Sequence, residues 1–223
     1  MFTHFATGVR RAGLALLFLG SALPATAQVS GAPPGEFNFY VLSLSWSPSF
    51  CAAEGADANR QQCVRKQPFS FVVHGLWPQY ESGYPEFCPT SEPSRVPQRI
   101  AEAYLDIMPS VGVIGHQWRK HGSCSGLSQR EYLALLRNAS ERIEIPGELE
   151  VADVAIKADP NEVEALFLAA NPGMDEGGIA VTCDGRHLRE VRICMTRQLD
   201  FRSCNEIDER SCRRQTIIIP PAR

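Results

Sequence analysis

Eight cysteines are the feature that most constrains how this chain of 223 residues folds. Their spacing is irregular and includes no Cys-x-x-Cys pair: Cys51, Cys63, Cys88, Cys124, Cys183, Cys194, Cys204 and Cys212. In an exported chain, an even number of cysteines without metal-ligand spacing indicates disulfide bonds rather than a structural zinc site. Eight cysteines can be paired in about 105 ways, so the spacing alone leaves the connectivity open.

The N-terminal segment predicts export. Arg10 and Arg11 provide a basic end, Leu14 to Leu23 form an apolar run, and Ala25-Thr26-Ala27 offers a cleavage site of small residues. This order is typical of a secretory signal peptide, and the apolar run is too short to span a bilayer. We therefore predict a signal peptide at residues 1–27 and a periplasmic or secreted product that starts near Gln28 and is not held in a membrane.

The predicted mature part, residues 28–223, has the length of one domain with a sizeable core. Removing residues 1–27 takes away two arginines and no acidic residue, so the formal net charge changes from −3 to −5. This balance argues against a protein that coats nucleic acid with a broad basic surface. It is compatible with an enzyme that has a small cationic site.

Strands, then helices, then strands again are predicted along the chain. The predicted strands are Phe37–Trp46, Phe69–Val73, Ile179–Cys183, Leu188–Met195 and Ile217–Ile219. The predicted helices are Gln98–Met108, a short one after Gly115, one that starts at the Ser128–Glu131 capping box, and one from Asp159 to Ala170. This order predicts an α+β fold in which helices pack on a mainly antiparallel central sheet stapled by disulfides. Ser47–Gln67 is predicted to be a stapled loop, and the second strand is predicted to end at His74, with Pro78 preventing its continuation.

Two short stretches concentrate the residues that carry chemistry. Phe71–Gln79 reads Phe-Val-Val-His-Gly-Leu-Trp-Pro-Gln, and His116–Cys124 reads His-Gln-Trp-Arg-Lys-His-Gly-Ser-Cys. They contain three of the four histidines outside the predicted signal peptide and one of the three lysines. Residues three and four apart share a helix face, so His116, Gln117, Lys120 and His121 are predicted to project from one polar arc. A solvated surface helix would explain one His–Lys pair, but not this concentration.

This set of side chains suits an anionic substrate. Two histidines can serve as general acid and general base, while a third histidine, a lysine and an amide can hold a phosphate. Cleavage of RNA by its own 2′-hydroxyl needs only these groups, and DNA, which lacks that hydroxyl, would not be cleaved. Zinc is the weaker interpretation, because Lys120 would repel the ion and the His116–His121 spacing is one residue longer than that of His-Glu-x-x-His. We expect no metal and no cofactor.

The two stretches resemble the active-site segments of the ribonuclease T2 family, and Phe39–Cys51 and Ala169–Gly173 add further similarity. The resemblance implies that His121 is the general base, that His74 is the general acid and that His116 binds the phosphate. It also implies that Lys120 stabilises the charged transition state, with Gln117 beside it. Most members of the family carry glutamate where this chain has Gln117. The expected function is endonucleolytic cleavage of single-stranded RNA through a 2′,3′-cyclic phosphate to a 3′-phosphate.

The resemblance also implies a base-binding site and a disulfide pattern. Trp77 would offer a stacking face to a base, although packing in the core is an equally compatible interpretation, and Gln79, Tyr80 and Tyr84 would complete the site. The family pattern pairs the cysteines as Cys51–Cys63, Cys88–Cys124, Cys183–Cys212 and Cys194–Cys204.

Two other functions stay open from the sequence. Gly122–Gly126 formally resembles a nucleophile elbow, which would make the chain an exported cysteine hydrolase that uses Cys124. A protein of the same fold that binds RNA without cleaving it is the other alternative. Alkylation of thiols would distinguish the first alternative, and incubation with RNA and EDTA the second. In each case RNA or another substrate is the expected partner, and a monomer is expected.

Overall fold

The computed structural model describes residue 1 and residues 28–55, 59–64, 68–150 and 153–222. The predicted signal peptide lies outside these residues apart from Met1. None of the described helices is long and apolar enough to cross a membrane.

A six-stranded, mainly antiparallel sheet forms the centre of the fold. Its strands follow the order β3-β2-β7-β8-β5, with β6 paired to β7, and only β7 and β8 run parallel. A separate parallel pair joins β1 to β4. The bounds of the strands are β1 Gln28–Ser30, β2 Phe39–Trp46, β3 Phe71–Gln79, β4 Tyr84–Glu86, β5 Ile156–Ala158, β6 Ile179–Asp184, β7 His187–Met195 and β8 Ile217–Ile219. The prediction of an α+β fold with helices on a mainly antiparallel sheet is confirmed.

The helices are mostly short. Their bounds are α1 Ser47–Glu54, α2 Arg60–Cys63, α3 Gln98–Ala101, α4 Val111–Lys120, α5 Gln129–Glu141, α6 Gly147–Glu150, α7 Pro160–Ala170 and α8 Asn205–Asp208. The capping boxes of α5 and α7 form as predicted, with Ser128 and Asp159 as the N-caps. Two predictions were wrong in detail: the Ser47–Gln67 segment contains α1 and α2, and the predicted helix from Gln98 to Met108 stops at Ala101 and continues as a 3₁₀ turn over Glu102–Tyr104.

Strand β3 does not end at His74, contrary to the prediction. It continues through Pro78, because β3 lies at one edge of the sheet, where a missing N–H interrupts no ladder on the outer side. The register of β3 with β2 shifts between Ser43 and Leu44 of β2. Gly75 pairs with Ser43 and Val73 pairs with Leu44, so His74 between them is the extra residue of a β-bulge. The bulge reverses the alternation of β3, which is why Val73 and Leu76 both face the main core.

The two faces of the sheet are covered differently. Helices α5 and α7 pack on one face over a large core that includes Trp46 and Trp118, which are 0% and 1% exposed. The other face carries a small cluster made by Phe39, Val41, Ala180, Cys194, Cys204 and Ile207, with Trp77 packed at its border. The candidate site lies on this second face.

Four disulfides staple the domain. The structure joins Cys51 to Cys63, Cys88 to Cys124, Cys183 to Cys212 and Cys194 to Cys204, which are the pairs that the resemblance implies. No cysteine is free.

Candidate active site

Helix α4 and the turn that follows it supply four of the predicted residues. The helix begins after the N-cap Ser110, whose hydroxyl accepts a hydrogen bond from the Val113 N–H. Trp118 anchors the opposite side in the core and donates its indole N–H to the Pro93 carbonyl at 3.0 Å. The helix ends at Lys120, and His121, the last residue of the predicted arc, is its C-cap. All four side chains of the arc, His116, Gln117, Lys120 and His121, nevertheless line one cavity.

This catalytic cavity has a volume of about 270 Å³, and β3 forms its opposite wall. Besides the four residues from α4, its lining residues are His74, Trp77, Gln79, Tyr84, Arg192, Ile207 and Arg210. Ten of these eleven side chains can donate a hydrogen bond or carry a positive charge, and none is acidic. The cavity is therefore suited to an anion.

His121 is buried at 6% exposure, and its ring stacks on Trp77 with 5.3 Å between the ring centroids. Burial of the ring is the main reason that the pKa of His121 lies well below its usual value, and the positive charges of Lys120, His74 and His116 lower it further. His121 is thus neutral around pH 7 and able to accept a proton. Its Nδ1 atom has no hydrogen-bond partner among the described residues.

His74 has a different environment, at the bulge in β3. Its side chain is 37% exposed, and its Nδ1 lies 2.6 Å from Oε1 of Glu190, a residue of β7 that is itself buried. Burial acts to raise the pKa of Glu190, but the hydrogen bond and charge of His74 and the charge of Arg192 outweigh it and lower that pKa to about 2. Glu190 is therefore ionised at any pH at which the histidines titrate.

Gln117 and Trp77 hold each other in place beneath the cavity. The indole N–H of Trp77 donates to Oε1 of Gln117 at 2.8 Å, and Gln117 is 3% exposed. Only the amide oxygen can accept this bond, so the Nε2 amino group is left as a donor. A Cβ atom at Gly75 would lie 2.3 Å from Oε1 of Gln117 and 2.4 Å from Nε1 of Trp77. The glycine after His74 is thus required by the close approach of these two side chains.

Strand β4 reaches the cavity from the side. Glu86 Oε2 lies 3.5 Å from Nζ of Lys120, and the same ammonium group is 5.9 Å from the centroid of the Tyr84 ring. The Tyr84 ring is in turn 6.1 Å from that of His121. The disulfide Cys88–Cys124 fixes the loop after β4 to the turn after α4. His116 is the one exposed residue among the four of the predicted arc, and partial desolvation, Lys120 and Arg119 lower its pKa.

The residues predicted for base binding are only partly brought together. Trp77, Gln79 and Tyr84 line the catalytic cavity. Tyr80 does not, because it follows Gln79 and its side chain packs against the main core on the other face of the sheet. Gln79 is 4% exposed, and its amide donates to the Pro78 carbonyl.

The cysteine-hydrolase interpretation was wrong. Cys124 is bonded to Cys88 and is fully buried, so it has no thiol to act as a nucleophile. Gly122–Ser125 is a 3₁₀ turn after a helix and not the strand-to-helix turn of a nucleophile elbow. A Cβ at Gly122 would lie 2.6 Å from the Trp118 ring, so packing explains this glycine.

Comparison with known proteins agrees with this geometry. The model of the ribonuclease T2 family matches residues 37–204, which include every residue that lines the cavity except Ile207 and Arg210. The chain belongs to the ribonuclease T2 family. It is 38% identical over 177 residues to a ribonuclease of Aeromonas hydrophila, and the match covers 77% of this chain and 78% of the relative.

Solved structures of the T2 ribonuclease fold superpose on the chain. An RNase-related protein from Calystegia sepium aligns with a TM-score of 0.65 at 19% identity, covering 84% of this chain and 99% of that one. RNase NT in complex with 5′-AMP aligns with a TM-score of 0.61 at 20% identity, covering 83% and 99%. These superpositions show that the chain has the same fold as these proteins. The family model and the Aeromonas relative identify it as a T2-type endoribonuclease that acts on RNA.

Sequence analysis missed several residues of this T2 ribonuclease site. Glu190, Arg192 and Arg210 come from the C-terminal third of the chain, and Glu86 comes from β4. Glu190 lies 116 residues from His74, so no local spacing connects the two. The one signal was a pair of charged residues, Glu190 and Arg192, on one face of β7, a strand that also carries Arg189.

Proposed function

We propose that this protein is an exported, metal-independent endoribonuclease that cleaves single-stranded RNA by transesterification through a 2′,3′-cyclic phosphate to a 3′-phosphate. The observation that carries the proposal is the contrast between two histidines in one cavity. His121 is buried and kept neutral by its surroundings, whereas His74 is partly exposed and bound to an ionised carboxylate. Such a pair provides a base and an acid at the same pH.

In the first step, Nε2 of neutral His121 accepts the proton of the ribose 2′-hydroxyl, because Nδ1 is buried. The 2′-oxygen attacks the adjacent phosphorus, and the P–O5′ bond breaks as protonated His74 donates its proton to the leaving 5′-oxygen. The nucleophile belongs to the substrate, so the protein supplies only proton transfer and charge stabilisation. DNA lacks the nucleophile and is not a substrate.

Charge on the phosphate oxygens is stabilised by donors from α4. Lys120 supplies a positive charge, Gln117 supplies its Nε2 amino group, and the partly exposed His116 binds the phosphate at the cavity mouth. Without substrate, Lys120 is held by Glu86 at 3.5 Å, and the phosphate competes for the same ammonium group. Within the described residues, no group of three or more histidine, cysteine or acidic side chains is arranged to hold a metal ion.

In the second step, the two histidines exchange roles. His74, now neutral, takes a proton from water that attacks the cyclic phosphate, and protonated His121 returns a proton to the 2′-oxygen. The product is a 3′-phosphate, and both histidines regain their first protonation states.

The location of the nucleobase follows from the location of the general base. The nucleoside that carries the attacking 2′-hydroxyl lies near His121, where Trp77, Gln79 and Tyr84 border the cavity. A second cavity of about 460 Å³ shares His74 with the first and lies on the side of Glu190. It offers room for the nucleoside whose 5′-oxygen leaves with the proton of His74.

The compartment and the domain organisation are part of the proposal. A signal peptide over residues 1–27 would direct residues 28–223 to the periplasm or the medium as a single, monomeric catalytic domain, where oxidising conditions favour four disulfides. Strand β1, Gln28–Ser30, pairs with β4 beside the catalytic cavity, so the proposed mature N-terminus is part of the folded domain.

The proposal is tested by incubating the purified protein with an oligoribonucleotide and with DNA of the same sequence, in EDTA. We expect 2′,3′-cyclic phosphate ends that later become 3′-phosphates, and intact DNA. Activity that is lost in EDTA and restored by zinc, or products with 5′-phosphates, would contradict the mechanism.

Variants assign the roles. His74→Ala and His121→Ala should each lower the rate by about 10²–10⁴-fold, the contribution of a proton-transfer group. Lys120→Ala should also lower the rate, and Lys157→Ala on the exposed side of β5 is the matched control. An RNA-binding protein without catalysis would bind the oligonucleotide and release no product in any of these assays.

A further inference from the structure

Glu190 is unusual in this molecule because of where its charge lies. It is 2% exposed and is the one acidic side chain in the buried set of the described residues. An ionised carboxylate is costly to bury unless it is paired and hydrogen-bonded. The buried charge of Glu190 therefore needs compensating contacts, and these contacts indicate the role of the residue.

The two oxygens of Glu190 have separate partners. Oε2 accepts from Arg192, whose Nε lies at 3.0 Å and whose terminal nitrogen lies at 2.8 Å. Oε1 lies 2.6 Å from Nδ1 of His74. Arg192 is itself positioned over the Trp77 ring, 5.3 Å from its centroid. Arg192 therefore holds one side of the carboxylate and leaves the other side aimed at the histidine.

Four strands of the sheet build this arrangement. Glu190 and Arg192 are two residues apart on β7 and share a face, opposite Ser45 and Ser43 of β2. Small side chains at these two positions leave space above β2, and the bulge in β3 brings His74 into that space from the next strand. Thr182 of β6 donates its hydroxyl to the Glu190 carbonyl from the other side.

A carboxylate bonded to Nδ1 determines which nitrogen of His74 transfers the proton. The ionised oxygen can only accept, so Nδ1 carries a hydrogen in both protonation states of the ring. Nε2 is then the atom that faces the catalytic cavity, protonated before the first step and unprotonated after it. The carboxylate also places a negative charge 2.6 Å from the ring that must carry the transferred proton.

We propose that Glu190 is the positioning residue of His74: it fixes the Nδ1–H tautomer and stabilises the imidazolium that protonates the leaving 5′-oxygen, with Arg192 keeping the carboxylate in place. This inference rests on the proposed function, because it assigns a partner to the proposed general acid. Other charged groups face the pair, and any pH effect must include them. On the α4 side these are His116, Lys120 and His121, and on β7 it is Arg192. Around the second cavity they are Glu54, Asp184, His187 and Arg189.

The test is Glu190→Gln assayed with two substrates that differ only in the leaving group. One is a dinucleoside phosphate, whose 5′-alkoxide must be protonated as it leaves, and the other is a nucleoside 3′-(4-nitrophenyl phosphate), whose phenolate leaves without a proton. With the dinucleotide we expect kcat to fall by about 10- to 10²-fold at nearly constant KM, part of what a complete general acid contributes. With the nitrophenyl ester we expect little change, since His74 has no proton to deliver.

The conservative variant gives a second readout. A neutral glutamine still accepts from Nδ1 but brings no negative charge to the ring. Glu190→Asp keeps the charge on a shorter side chain and should restore part of the rate. Glu164→Gln, a half-buried carboxylate that accepts from the Val181 N–H outside the site, is the matched control and should behave like the unmodified protein.

Each outcome decides between explanations. An equal loss on both substrates would show that Glu190 only maintains the structure, and no loss on either would show that it has no role, so either result overturns the inference. If the unmodified protein cleaved neither substrate, the proposed function itself would fail. Activity on the nitrophenyl ester also reports that the Glu190→Gln variant is folded.

Discussion

The role of a residue in this site depends on which of its polar atoms are already hydrogen-bonded to neighbours, and Gln117 shows this most clearly. Its oxygen is occupied by the indole N–H of Trp77, so only its Nε2 donor can serve the phosphate. We expect Gln117→Ala to lower kcat by up to about 10²-fold with little change in KM, the lower range for a lost oxyanion donor. Gln117→Glu keeps an acceptor for Trp77 and should remain active with an altered pH profile. Steady-state kinetics of both variants check this, and a loss as severe as that of His121→Ala would mean an essential role instead.

The pH dependence also follows from single residues. The base must be unprotonated, and burial together with Lys120 lowers the pKa of His121 well below 6.5. As the pH falls, His121 therefore stays neutral beyond the point at which a free imidazole is protonated, and activity persists into more acidic solution. The acidic limb of kcat/KM should accordingly lie below pH 6.5. In Lys120→Met, that limb should move to higher pH. A limb that stayed in place would show that Lys120 does not contribute to the low pKa of His121.

Among the elements, the bulged strand β3 has the strictest steric requirement. Gly75→Ala would put a methyl group within 2.4 Å of both Gln117 and Trp77, neither of which can move without breaking their hydrogen bond. We expect a loss of about 1–3 kcal/mol in unfolding free energy, as for other overpacked sites, and a large loss of activity. Gly112→Ala on α4 is the control, because its nearest neighbour would be an ordinary 3.6 Å away. Denaturant unfolding and RNA cleavage measure the two effects, and equal behaviour of the two variants would contradict the assignment.

The elements also show how far the sequence could predict this site. The residues of the two histidine-containing stretches could be predicted because they are close in the chain, and helical spacing placed four of them on one side of α4. The bulge at His74 and its partner Glu190 could not be predicted, because both depend on the register between strands that are far apart in sequence. Pro78 contributed to the wrong prediction of the strand end for a related reason. A proline is excluded from a central strand and tolerated in an edge strand, and only the order of strands in the sheet shows which of the two β3 is.

At the scale of the whole molecule, the fold class was predictable and the arrangement around the cavity was not. The alternation in β2, the capping boxes of α5 and α7 and the β6–β7 hairpin are local signals, and the structure contains all of them. The short β1–β4 pair left no such signal, since three residues per strand carry no periodicity. That pair and the disulfide Cys88–Cys124 together determine where Tyr84 and Glu86 stand relative to α4.

Removing the disulfide Cys88–Cys124 should therefore affect both the stability and the site. It closes a loop of 36 residues, the longest of the four, and chain entropy predicts a loss of about 4 kcal/mol in unfolding free energy for Cys88→Ala/Cys124→Ala. Because Glu86 and Tyr84 lie just before Cys88 and contact Lys120, we also expect a higher KM for a mononucleotide ester from a loosened cavity wall. The matched control is Cys51→Ala/Cys63→Ala, which opens a loop of 12 residues and should cost about 3 kcal/mol. Those two cysteines belong to α1 and α2, which do not border the catalytic cavity, so KM for a mononucleotide ester should be unchanged in the control.

Both double variants are compared by thermal unfolding and by cleavage kinetics at a temperature where each is folded. If the two raised KM equally, the effect would come from general loosening of the domain, and the specific link between Cys88–Cys124 and the cavity would be wrong.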